Sequence, residues 1–68
     1  MDPVPLLTQV KADLLASHDT RNTQIRLYQI SKTPDLLLSE GQRGALNFYS
    51  SLNEVNEDVL TKLIDSIR

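Results

Sequence analysis

Sixty-eight residues suffice for one domain, and at this length folding buries only about 60% of the surface that the unfolded chain exposes. The absence of cysteine and the single histidine exclude disulfides, zinc knuckles, thiol redox chemistry and a histidine-based metal site. Seven Lys and Arg against nine Asp and Glu leave a net charge of −2, which argues against a general binder of phosphate backbones and is too small an excess to imply a basic partner.

The apolar residues are Leu-rich and the aromatics are Phe48, Tyr28 and Tyr49, a composition that favours helices over a small sandwich or barrel. There is no run of about 18 apolar residues, so no transmembrane helix is expected. The Met-Asp-Pro-Val-Pro start lacks the positive region and apolar stretch of a signal peptide. The lack of cysteine fits a cytoplasmic home.

In chain order, residues 1–4 read as an extended lead-in, because Asp2 and Val4 each precede a proline and the helical region is disfavoured there. Pro5 suits the first position of a helix. Leu7, Val10 and Leu14 then line one face, with Leu6 on its flank and Lys11 and Asp13 outside the stripe. The first helix is expected over about 5–17. His18 stands at its end, where a cation suits the dipole. No nucleophile pattern accompanies it, so capping or solvation outweighs catalysis. The polar stretch 18–23 is rich in turn and cap formers.

The segment 22–32 has no single apolar face. On a helix Ile25 and Tyr28 point one way, Leu27 and Ile30 another. Helix is the assignment, because no second segment could serve as a sheet partner and an isolated strand leaves its backbone groups unpaired. A helix apolar on two sides sits centrally or bridges its core to a partner.

Thr33-Pro34-Asp35 has the form of a helix start. A second start lies at Ser39, with Gln42 three residues on as a capping box. Either a short turn over 34–38 precedes the main helix, or one continuous helix runs over about 34–51. Leu38, Gly41, Ala45, Phe48 and Leu52 share one face. Gly41 and Ala45 would let another backbone approach closely, within the chain or from outside it. The Gly41-Gln-Arg-Gly44 stretch lacks the spacing and the Lys-Ser/Thr ending of a phosphate loop.

The last element is the clearest. Asn56 is an N-cap, Glu57 and Asp58 follow at the positive end of the dipole, and Val55 and Leu60 have the spacing of a hydrophobic staple. Leu60, Leu63, Ile64 and Ile67 form one stripe, with Asp58, Lys62 and Asp65 opposite. The helix is expected over about 56–67.

The sum is an all-α chain, a small four-helix, bundle-like single domain over 1–68 with no sheet. The expected core is Leu7, Val10, Leu14, Ile25, Tyr28, Leu38, Ala45, Phe48, Leu52, Leu60, Leu63, Ile64 and Ile67. Truncation of Phe48 or Leu63 to alanine is expected to cost about 2–5 kcal/mol.

Neither catalytic nor cofactor nor metal-ligand residues emerge, so the chain reads as no enzyme and needs no cofactor. The acids sit at helix starts or on an outer face, where capping and solvation explain them. Leu36, Leu37 and Leu38 span about 200° of a helix, so one of them faces outward. With Leu15, Leu27 and Ile30 they make an apolar surplus beyond one core. The function expected is a small non-enzymatic interaction module (adaptor, inhibitor or assembly factor). It would use an apolar helical surface at Leu27, Ile30, Leu36 and Leu37 to bind another protein or a second copy of itself. The alternative is a helix-turn-helix DNA-binding regulator drawn over 45–67 and helped by the basic residues Arg21, Arg26 and Lys32. Against it stand Glu57 and Asp58, two acids at the start of the recognition helix. Nucleic acid and membrane are therefore not the expected partners.

Overall fold

The computed structural model describes residues 1–51 and 55–67. Among these residues there are four α-helices and no strand: α1 (Val4–Ser17), α2 (Thr20–Lys32), α3 (Glu40–Ser50) and α4 (Glu57–Ile67). Each helix packs on its neighbours in the chain, and α4 returns against α1 to close the ring. This is the all-α, bundle-like domain that the sequence predicts.

Helix α1 starts one residue before Pro5. Pro3 stands at the cap and has no side chain to accept from the first turn. Asp2 does that work instead: its Oδ1 accepts from the Val4 N–H at 2.9 Å. Leu7, Val10 and Leu14 are buried as the stripe required. His18 ends the helix in the left-handed region, φ 56°, and its backbone N–H donates to Leu14 O at 2.7 Å. It thus has a capping role, exercised through the main chain.

Asp19 begins α2 at once, its carboxylate accepting from the Asn22 N–H at 3.0 Å. The buried stripe of this helix is Thr23, Leu27, Ile30 and Ser31, which corrects the face expected from the sequence. Ile25 and Tyr28, assigned to the core, are 49% and 50% exposed. The reason lies in the two hydroxyl residues. Thr23 Oγ1 donates to Asp19 O at 3.1 Å and Ser31 Oγ to Tyr28 O at 2.6 Å. Each satisfies itself on its own helix, so burial costs little. With two apolar residues on either side, these hydroxyls leave the Leu27 side free to turn inward. On the α1 side, Arg26 pairs with Asp13, which also accepts from Gln9. The Arg26 hydrogen bond, and secondarily that from Gln9, holds the Asp13 carboxyl below its ordinary range.

The Thr33-Pro34 signal stops a helix here and starts none. Thr33 has extended backbone, as a residue before proline prefers; its N–H donates to Ile30 O and its Oγ1 to Gln29 O. Residues 34–36 are therefore turn and bend and 37–39 are irregular, so the reading with a short non-helical stretch before the main helix holds and the continuous helix over 34–51 does not. The Leu38 N–H donates to Leu36 O at 2.9 Å, which places Leu37 at the apex of a three-residue turn. Leu36 is 4% exposed, Leu37 74% exposed, and Leu38 half-buried against the core. The N-terminus clips this loop in place. The Met1 ammonium donates to Asp35 O at 3.0 Å, and the Leu37 N–H donates to Met1 O at 2.9 Å.

Arg43 organises the loop from the other side. Nη1 donates to Ser31 O at 3.2 Å and Thr33 O at 2.6 Å; Nη2 donates to Leu36 O at 2.8 Å and reaches Pro34 O at 3.5 Å. These carbonyls belong to the last turn of α2 and to the connection, where no helical N–H is left to serve them.

Helix α3 begins at the second start signal. Ser39 Oγ accepts from the Gln42 N–H at 3.1 Å and Gln42 Oε1 from the Ser39 N–H at 2.8 Å, the complete capping box. Its inward face differs from expectation. Leu46 is fully buried, with Ala45 and Tyr49 packed beside it, while Phe48 is 60% exposed. Gln42 Nε2 reaches Ser66 O of α4 at 3.4 Å, on the same side as Leu46. The helix is thus turned away from the Phe48 stripe, because the Arg43 anchorage and the Gln42 contact orient its first turn. Leu52 lies outside the described residues.

Helix α4 follows its sequence closely. Asn56 Oδ1 accepts from the Val59 N–H at 3.0 Å. Val55, Leu60, Leu63 and Ile64 are buried and Ile67 packs against them half-buried.

Two outcomes are expected. In thermal melts Leu63→Ala should cost about 2–5 kcal/mol, while Phe48→Ala should cost under about 1 kcal/mol, because its ring is largely in water. Equal losses would place Phe48 in the core. In urea titrations Arg43→Ala should cost about 2–3 kcal/mol by orphaning part-buried carbonyls. Arg43→Lys should recover only part of that, since an ammonium cannot span the fork.

Candidate functional site

The residues expected to meet a partner do not form a surface. Leu27 is 0%, Ile30 8% and Leu36 4% exposed. All three belong to the chain's own core, and Leu37 is the one member of the set in water. The apolar surplus is real, but it lies elsewhere.

Ile25, Tyr28 and Phe48 converge on a groove between α2 and α3, of about 700 Å³, with Arg21, Gln24, Gly44, Asn47, Ser50 and Ser51 around them. Other depressions hold about 200–250 Å³ each. The groove exists because α2 turns its hydroxyl-bearing stripe inward and α3 turns Leu46 inward. Both rotations push a large apolar side chain outward on the same side of the molecule. Phe48 meets the Tyr49 ring edge-on, centroids 5.4 Å apart at 75°. Lys32 Nζ lies 5.6 Å from the centre of the Tyr28 ring.

Gly44 lies between these side chains. A Cβ built there meets no heavy atom within 4 Å, and one at Gly41 meets only Ser39 Oγ, at 3.9 Å. Neither glycine has positive φ. Close packing inside the chain therefore explains neither of them, nor does backbone conformation. Two helical glycines still cost about 1 kcal/mol each against alanine.

The charges sort by position. Arg21 lines one end of the groove, and Lys32 and Glu40 flank a depression at the other. Arg26 is engaged with Asp13, and Arg43 with backbone carbonyls. The basic cluster of the sequence is thus divided, and no basic stripe follows the groove. Among the described residues there is no group of three His, Cys, Asp or Glu that could hold a metal, and no helix is long and apolar enough to cross a membrane. The groove offers what an apolar side chain or helix needs: an aromatic and aliphatic floor, an open glycine and a polar rim.

Sequence reasoning missed this site because it assigned Ile25, Tyr28 and Phe48 to the interior. Gly44 is the one groove residue that carried a signal, since a glycine inside a helix costs about 1 kcal/mol against alanine. Comparison with protein-family models, characterised proteins and solved structures finds no match for the chain.

At low protein concentration Gly44→Ala should raise stability by about 1 kcal/mol, measured by urea denaturation, because the methyl enters open space. A loss of stability would mean that the chain itself packs against Gly44.

Proposed function

We propose that the chain is a small non-enzymatic interaction module whose working surface is the groove between α2 and α3. One observation carries this reading. Three large apolar side chains, Ile25, Tyr28 and Phe48, are 49%, 50% and 60% exposed on one face, around a glycine with open space above it. The core closes without them. Contiguous exposed apolar surface with a polar rim is the usual form of a protein contact, and aromatic residues are enriched at the centre of such contacts. The helix-turn-helix alternative gains nothing from the fold: Glu57 and Asp58 are exposed at the start of α4, where a recognition helix would meet phosphates.

Site-specific photocrosslinking in the source cells tests the proposal. Benzoylphenylalanine in place of Phe48 should give discrete protein adducts, whereas the same group in place of Lys62, on the outer face of α4, should not. Equal adduct patterns from the two positions would remove the groove as the working surface.

A further inference from the structure

We infer that the groove is occupied by the same groove of a second copy of this chain, as a two-fold dimer whose axis runs along the groove, parallel to α2 and α3. This rests on the groove being a docking face, and it adds the partner.

The groove is self-complementary. Helices α2 and α3 run antiparallel: Arg21 shares one end of the groove with Ser50 and Ser51, and Lys32 lies near Glu40 at the other. Arg43 of α3 reaching Ser31 O and Thr33 O gives the same register. A two-fold axis along the groove sets α2 of one copy over α3 of the other at the same level. Tyr28 then faces Gly44 of the second copy, a large ring against open space, and does so twice by symmetry. Ile25 falls at the level of Phe48 of the second copy. Lys32 comes over Glu40. Arg21 comes over the C-terminal turn of α3, the negative end of the helix dipole.

The alternative two-fold, perpendicular to the helices, lays α2 on α2 and brings Arg21 over Lys32. Like charges would then meet at both ends. The axis along the groove instead joins unlike charges at both ends and fills the space above both glycines. The product is four antiparallel helices, two from each copy, in a bundle arrangement. The face is about 16 Å long, from eleven residues at 1.5 Å each, and about 20 Å wide for two helices. At about 320 Å² per copy this lies below the range of stable interfaces, so association should be weak and reversible, with a dissociation constant on the order of 0.1 mM.

Sedimentation velocity from about 1 μM to about 1 mM decides it. The wild type should pass from monomer to dimer over this range. Gly44→Ala should weaken association about tenfold or more by overfilling the contact, while its circular dichroism stays helical and its monomer melts no lower. Lys32→Glu should also weaken association, and Lys32→Glu combined with Glu40→Lys should restore it. A wild type that stays monomeric to 1 mM overturns the inference, and the crosslink at position 48 then still reports whether the groove takes a different protein. A dimer indifferent to Gly44→Ala uses another face and overturns it equally. A double charge exchange that fails to restore association overturns the axis along the groove.

Discussion

The Arg43 guanidinium is the interaction on which the rest of this fold leans. It gathers carbonyls from the last turn of α2 and from the connection that follows. A helix end and an irregular loop both present carbonyls that lack N–H partners, and a planar fork with five donors serves several of them from one side chain. Its positive charge also sits at the negative end of α2. The consequences spread outward. The loop is held so that Leu36 enters the core and Leu37 leaves it. The first turn of α3 is anchored beside α2, which sets the antiparallel pair and the rotation of α3 about its axis.

The second constraint is polar and local. Thr23 and Ser31 return their hydroxyls to carbonyls of their own helix, so a stripe that is half polar by composition behaves as an apolar one. This lets Leu27 and Ile30 close the core with α1, while Arg26 ties the same side of α2 to Asp13. At the chain start, the Met1 ammonium and carbonyl bracket the loop over Asp35 and Leu37. A small core with no covalent crosslink is thus held by burial from within and by backbone-directed hydrogen bonds around its connections.

The outward face follows from these inward choices. Each helix has a limited arc to bury, and a bundle of this length cannot enclose every apolar residue it carries. Once α2 and α3 turn the Leu27 and Leu46 sides inward, Ile25, Tyr28 and Phe48 must stand in water together. The glycine between them removes the side chain that would otherwise cover the floor. A surface of this kind is costly to leave in water, and its most economical use is contact with another apolar surface.

What the sequence by itself determined was the set of helices and most of their ends. The Asn56 cap, the Ser39–Gln42 box and the stripes of α1 and α4 are local: a cap needs residues three apart, and a stripe of one apolar type on one side has a single face to bury. The placement of α2 and α3 was not local. On α2 the two apolar faces were equal in size, and the balance fell to hydroxyls whose burial depends on hydrogen bonds no periodicity reveals. On α3 the run through Phe48 was the more apolar stripe, yet Arg43 and Gln42 oriented the helix by contacts with the α2 end and with α4. Thr33-Pro34 has the form of a helix start, yet the extended backbone of Thr33 before proline ends α2 there, and Arg43 collects the carbonyls left open. The same rotations decided the groove, because which side chains remain exposed is known only after the interior has been filled.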